Sequence, residues 1–383
     1  GLGIAMSTNA MVARRVGEGD LAGAARAGAQ AVGLVAAIGV LLGVPCALSG
    51  PTLLLCMGAA PETAELGGGY ASIVLGSQVV VLLLFVQNAI FRGAGDPMLA
   101  MKALWIANLC NCALDPLLIF GWGPIPAMGV TGAGLATLIG RSIGVLYQVH
   151  ALFRGRGRID LRRATWFDAR AMLTLLRLSA FGIGQFLIAT ASWAVLTRIA
   201  AAFGDVAVAG YTVGIRILVF TYLPAWGLSN AVATLVGQNL GAGNPARAER
   251  ATWLVMGYNV AFMTAVGAVM LALPEPIVGL FTEKAAVASV AADCLRVFSY
   301  GYPMYAVGMV LVQALNGAGD TATPTWINAV AYWVLEIPIA LGLAYSWEMR
   351  ESGVFWSVVI AESAMAVIAL VVFRRGSWKR KKV

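Results

Sequence analysis

Phe91-Arg92-Gly93-Ala94-Gly95-Asp96 returns as Leu315-Asn316-Gly317-Ala318-Gly319-Asp320, 224 residues further along the chain. The same interval carries Gly17-Glu18-Gly19-Asp20 onto Gly241-Ala242-Gly243-Asn244 and Gly129-Val130 onto Gly353-Val354. Gly3 with Gly227, Arg26 with Arg250 and Gly33 with Gly257 fall in the same register. A glycine-rich chain produces isolated coincidences, but one gap-free offset held over about 130 residues is the mark of a duplicated unit. Each repeated glycine stretch reads as a tight turn between helices. Gly95 suits the left-handed position that ends a helix, Asp96 the cap of the next, and Pro97 its first turn; Asn244-Pro245 repeats the device. None ends in the Lys-Ser/Thr of a phosphate loop and none follows a strand, so nucleotide binding is not indicated.

Between these turns the chain is apolar. Of 383 residues 60% are hydrophobic and 11% charged, and the mean hydropathy is +0.82, far from the balance of soluble domains. Apolar runs of ~20 residues are long enough for a helix to cross a bilayer with every backbone amide bonded internally. They lie near 1–16, 28–48, 69–91, 98–120 and 129–153 in the first half. The second half has 176–203, 206–238, 249–273, 287–315, 323–345 and 353–373. The expected fold is an all-α integral membrane protein with about eleven spans present. Residue 1 corresponds to Ala225, which leaves 171–224 of the second half without a counterpart. The chain is therefore expected to be N-terminally incomplete, its parent being two six-helix bundles of like orientation with the first helix and part of the second upstream. The expected division is an N-lobe at 1–153, a basic linker at 154–170, a C-lobe at 171–376 and a basic tail at 377–383.

The net charge of +8 is placed in a way that argues against nucleic acid. Arg154, Arg156, Arg158, Arg162, Arg163 and Arg170 occupy the linker, and Arg374, Arg375, Lys379, Arg380, Lys381 and Lys382 the C-terminal segment. Short basic segments flanking apolar spans follow the positive-inside rule, which puts the linker and C-terminus in the cytoplasm beside lipid headgroups. Turns 14–27, 92–102, 241–250 and 316–322 then fall on the same side with Arg14, Arg15, Arg26, Arg92, Lys102, Arg247 and Arg250, while acidic residues dominate the opposite turns. Cys46, Cys56, Cys110, Cys112 and Cys294 lack metal-ligand spacing and read as packing residues. His150 reads as interfacial, at the end of a span.

With no nucleotide motif, any driving force must come from an ion gradient, and coupling needs an ionisable group inside the membrane; one charge crossing 100 mV supplies ~2.3 kcal/mol. Asp115 is the leading candidate, since a carboxylate within a span costs ~2.5–3.5 kcal/mol on insertion scales. Asn111 lies one helical turn earlier on the same face and can bond or co-ligate. Pro116 removes a backbone donor and frees a carbonyl. Glu336, two residues before Pro338, and Glu362 in the last span are further candidate cleft carboxylates. Arg141, one turn after Thr137, can pair with a carboxylate or snorkel. Trp193, Trp226, Trp326, Trp333 and Trp356 are available to organic cations or to interfacial packing.

The paired VARRVGEGD and LVGQNLGAGN, the paired FRGAGD and LNGAGD, and the run NCALDPLLIFG followed by GVTGAGLAT resemble the multidrug and toxic compound extrusion (MATE) family over the whole chain. The resemblance implies two six-helix bundles around a central cleft and efflux of drugs or cations driven by sodium ions or protons. By position, Asn111 and Asp115 match the family's fifth-helix Asn and Asp of an N-lobe ion site, and Thr137 a sixth-helix Thr beside it. The partnering first-helix Asp belongs to the stretch expected upstream. On the seventh helix some members carry a Glu where this chain has Gln185 or Ser192, which weakens a C-lobe sodium site. The expectation is an antiporter of a bacterial inner membrane, monomeric and without a cofactor. It exports small amphipathic or cationic substrates against protons acting at the N-lobe, with sodium at Asp115 as the alternative ion. A flippase for lipid-linked sugars of the same superfamily is the nearest alternative. A membrane-embedded enzyme finds no nucleophile-base pair to support it.

Overall fold

The computed structural model describes residues 1–155, 157–164 and 168–381, with only the backbone of Arg163. Arg156 of the basic linker and Lys382 of the tail lie outside the described residues. Among the described residues the chain is helical, and the one strand-like feature is an isolated bridge between Trp122 and Ile125.

The helices run α1 Leu2–Gly17, α2 Leu21–Leu48, α3 Gly50–Cys56, α4 Pro61–Gly76, α5 Gln78–Ala94, α6 Pro97–Phe120 and α7 Gly129–Phe153. A 3-10 turn at Leu161–Arg163 follows, then α8 Ala169–Ala201, α9 Asp205–Gly241, α10 Pro245–Ala272, α11 Pro274–Gly279 and α12 Ala285–Gly317. The chain continues as α13 Ala322–Ala329, a π-helical stretch Val330–Glu336, α14 Ile337–Leu341, a second π stretch Gly342–Ser346 and α15 Glu351–Arg375.

All the expected spans are helical, and 9 helices among the described residues are long and apolar enough to cross a membrane. Two expected spans fall short of that standard: α1 has 16 residues, and the apolar face of α12 is diluted by Tyr300, Tyr302, Tyr305 and Pro303. The run expected at 69–91 begins earlier, at Pro61, and breaks at Ser77, whose hydroxyl donates to the Val74 carbonyl at 2.8 Å and so competes with the helix ladder.

The chain divides into two compact units, Gly1–Arg177 and Leu178–Val383. The boundary falls within α8, downstream of the expected linker. Inside each unit the helix limits follow the 224-residue interval. α1 ends at Gly17 and α9 at Gly241; α2 spans Leu21–Leu48 and α10 Pro245–Ala272; the short α3 and α11 come next; α5 ends at Ala94 and α12 at Gly317. The turns repeat to the individual bond. Gly95 has φ +88 and Gly319 φ +84, the left-handed conformation that glycine adopts without strain. The Asp96 N–H donates to the Phe91 carbonyl at 2.8 Å and the Asp320 N–H to Leu315 at 3.0 Å. Packing repeats as well: a Cβ on Gly93 would meet the Asn9 carbonyl of α1, and a Cβ on Gly317 the Ala233 carbonyl of α9. Lipid is as apolar as leucine, so such close backbone approach, more than hydrophobic burial, holds helices together in a membrane.

The caps differ from expectation in one place. Asp20 accepts from the Gly23 N–H at 2.7 Å and Asn244 from the Arg247 N–H at 3.1 Å, both serving their own helices. Asp96 makes no cap bond; its carboxylate accepts the Arg158 N–H of the linker at 3.0 Å. The basic flanks are therefore more than solvated charge. Ile159 and Leu161 of the linker are buried, as is Trp378 of the tail. Asp320, in the repeated turn, pairs with Lys381 at 3.1 Å. Each unit thus uses the aspartate of its GAGD turn to hold the segment that follows its last helix.

The first π stretch lies just upstream of Pro338, which has no N–H to offer the preceding turn, and the second follows at Gly342. A π turn holds more residues than an α turn, so it changes which side chains face inward. By the repeat interval Glu336 corresponds to Cys112; Glu336 is 1% exposed and is covered by Ser192 of α8, a helix with no counterpart at that interval in this sequence.

Candidate functional site

In the first unit α6 and α7 are the most extensively packed helix pair, and the reason is a row of small residues. Gly132, Ala136, Gly140 and Gly144 recur every fourth residue along α7 and all are buried. A Cβ at Gly140 would lie 2.7 Å from the Ala107 carbonyl of α6 and 3.2 Å from the Asn111 Cβ. That approach brings Thr137 to Asn111. The Asn111 amide bridges Asp115 and Thr137 in either orientation of its end. In one, Nδ2 donates to Asp115 Oδ1 and to Thr137 Oγ1, both at 3.4 Å. Turned over, it donates to Asp115 Oδ2 at 3.2 Å and accepts from the Thr137 N–H at 3.2 Å, the better-satisfied arrangement. The Thr137 hydroxyl donates to the Ala133 carbonyl at 3.0 Å.

All three residues are half-buried. Asp115 is in no ion pair among the described residues, and Arg141, which the sequence offered as a partner, is exposed and likewise unpaired. A carboxylate oxygen, a carboxamide oxygen and a hydroxyl oxygen within one helical turn form a hard-oxygen donor set, suited to a proton or an alkali cation.

In the second unit the buried Glu336 and the half-buried Glu362 belong to one hydrogen-bonded group. Ser192 of α8 donates to Glu336 Oε2 at 2.5 Å and approaches the Tyr332 carbonyl at 3.3 Å. The Tyr332 hydroxyl donates to Glu362 Oε1 at 2.9 Å. Glu362 Oε2 is buried and has no hydrogen-bond partner among the described residues. Of the two α8 residues singled out from the sequence, Ser192 reaches a carboxylate. Gln185 instead donates to Asn316 and to the Thr321 carbonyl, each at 3.1 Å, pinning α8 to the repeated turn. Tyr332 was not among the sequence candidates; its only signal is a tyrosine one turn before Glu336.

The tryptophans separate by environment. Trp333 is 45% exposed and its indole N–H donates to the Ile188 carbonyl at 3.2 Å. Trp326 is largely exposed, Trp226 packs at the edge of the core, and Trp356 stacks on Tyr300 with centroids 5.9 Å apart.

Comparison with known proteins matches the MatE family model to residues 1–117 and 183–341. The probable multidrug resistance protein NorM of Thermotoga maritima is 25% identical over 385 aligned positions, covering 99% of this chain and 82% of that protein. The protein of the same name from Pseudomonas aeruginosa is 27% identical, covering 100% of this chain and 79% of its own. A crystal structure of MATE in the bent conformation superposes with a TM-score of 0.90 at 24% identity, over 98% of this chain and 83% of that one.

Proposed function

The chain belongs to the MatE family, and from that premise we propose that it is a secondary active antiporter that exports small amphipathic organic cations by alternating access. The multidrug resistance names of its relatives support the substrate class, and the nine apolar helices support a multi-pass membrane protein. We place it in a bacterial inner membrane with the linker and C-terminus cytoplasmic, on the strength of the basic flanks. The reading is of a transporter and not an enzyme.

The observation that carries the mechanism is the Asp115 carboxylate, set within the apolar span α6 without a counter-cation among the described residues. An anion so placed is stabilised by taking up a proton or a cation. Asn111 and Thr137 orient it and supply neutral oxygens. We take the coupling ion to be a proton, released when substrate binds and regained from the opposite side. The alternative is sodium held by the same oxygens. Glu336 and Glu362 form a second candidate titrating group, with Ser192 and Tyr332 as its donors.

Asp115→Asn keeps size and removes charge. Reconstituted into vesicles, the intact protein should expel a fluorescent organic cation when a pH gradient is imposed, and Asp115→Asn should not. Asn111→Ala should slow efflux less, because the titrating group remains. Running the assay without sodium separates the two ions. Gradient-driven efflux by a well-folded Asp115→Asn protein at the wild-type rate would refute the coupling role.

A further inference from the structure

The start of α10 presents one continuous face: Ala246, Glu249, Arg250, Trp253 and Leu254 line an open groove of about 440 Å³. Three- and four-residue spacing puts these side chains on one side of the helix. The Arg374 guanidinium at the end of α15 lies over the Trp253 ring at 5.8 Å. Trp253 is set edge-on against Phe373 with centroids 5.8 Å apart, and Phe373 stacks on the buried Trp378 at 4.7 Å. Lys379 lies over the Trp378 ring at 5.7 Å and reaches Glu249 at 2.6 Å. The docked tail thereby packs beside Trp253 and occupies the single carboxylate of the groove.

What remains is an excess of positive charge in fixed places. Arg250 and Arg374 are exposed and in no ion pair among the described residues. Polarity also falls with depth along α10. Arg250 comes first, and Trp253 with the 55% exposed Leu254 lies one turn, about 5 Å, further into the span. That order of cation, amphipathic ring and aliphatic side chain matches the order of phosphate, glycerol and acyl chain in a phospholipid. A free phosphate would use the first alone.

In the other unit the corresponding residues are arranged differently. Arg26, the repeat partner of Arg250, lies 4.0 Å from Asp20. Trp253 is replaced by the buried Ala29, and Leu161 of the linker packs over the neighbouring Gly28, 3.5 Å from where its Cβ would be.

We propose that the groove on the first turns of α10, with Arg374 at the end of α15 beside it, is a single binding site for an anionic glycerophospholipid. Arg250 and Arg374 grip its phosphate, and Trp253 and Leu254 receive its glycerol and the root of an acyl chain. The site is independent of the transport mechanism.

Native mass spectrometry of the intact protein in detergent, titrated with phosphatidylglycerol, tests it. One phosphatidylglycerol should bind at least ten-fold more tightly than phosphatidylcholine. Each charge removed should weaken it about five-fold, the equivalent of ~1 kcal/mol per basic residue near an anionic surface. Arg250→Gln/Arg374→Gln should therefore lose roughly 25-fold. Leu254→Glu, which sets a carboxylate on the floor of the groove, should weaken it independently. Arg154→Gln in the linker should change nothing. Undiminished phosphatidylglycerol binding by the double variant would overturn the proposal. So would equal affinity for phosphatidylcholine, or displacement of the lipid by an equal concentration of inorganic phosphate.

Discussion

Replacing Gly317 by alanine tests the packing that the duplication imposes. A Cβ there would stand 2.3 Å from the Ala233 carbonyl oxygen and 2.5 Å from the Ala233 Cα, where carbon-oxygen contacts need about 3.3 Å. The obstacle is backbone, so α9 and α12 must separate by about 1 Å or one of them must bend. Overpacking costs about 1–3 kcal/mol and belongs at the upper end when the neighbour cannot rotate away. The helix-propensity gain from Gly to Ala returns at most ~1 kcal/mol, less at the last residue of a helix. The net loss is about 2 kcal/mol, which for a unit of this size lowers the melting temperature by roughly 4–8 °C. Gly93→Ala, its repeat partner, is the internal control. There the nearest contacts are 3.0 Å, to the Asn9 carbonyl oxygen and to Val12 side-chain carbons, so a few tenths of an ångström suffice and the change should be within about 1 kcal/mol. Heating both variants in detergent and measuring the fraction that stays monodisperse on gel filtration reads the difference. A Gly317→Ala protein as stable as wild type, or a Gly93→Ala protein that loses more, would refute the reasoning.

The caps give a second contrast. Asp20→Ala and Asn244→Ala should each cost about 1 kcal/mol of thermal stability through a lost helix cap. Asp96→Ala should cost the helix little and instead speed tryptic cleavage at Arg158, seen on a gel; equal cleavage in wild type and variant would contradict the linker bond. The buried carboxylates give a third. Tyr332→Phe removes the donor to Glu362 and should destabilise the protein by about 1–3 kcal/mol, and adding Glu362→Gln should recover most of that loss; two additive losses would show that the hydroxyl and carboxylate do not depend on each other.

How far the sequence reached depended on whether an interaction lies along the chain or across it. The interval linking Gly93 to Gly317 located the helices because tight turns need glycine at fixed places. Asn111 and Asp115 could be paired because they share one helix face. Thr137 came from the resemblance, while the small-residue row that delivers it to Asn111 became meaningful only once α6 and α7 were known to be neighbours. Glu362 and Tyr332 lie on different elements, and no spacing rule joins them. Asp96 was assigned to its own helix because capping rules are local, whereas its partner arrives from Arg158. In the linker and tail the arginines and lysines drew attention, but Ile159, Leu161 and Trp378, the apolar minority, are what dock those segments.

The π stretch ahead of Pro338 bears on how the two halves of the molecule came to differ. After a duplication, corresponding positions start out with the same surroundings, and changing a lobe's chemistry by substitution means replacing an interior side chain where it stands. A shift in helical phase needs no such replacement. It changes which positions face the neighbouring helix, and here the stretch from Val330 to Glu336 brings Glu336 and the Tyr332 carbonyl to Ser192 of α8. The phase is restored without disturbing the rest of the register, since the connection at 347–350 is shorter than its counterpart at 121–128 and Gly353 still answers Gly129. One lobe could in this way acquire a buried acid while its turns, caps and packing glycines stayed under the constraints of the ancestral unit. Transferring a mutation from one half to the other by counting residues is therefore sound at the repeated turns and unsound beside Glu336, where the second half leaves α-helical geometry.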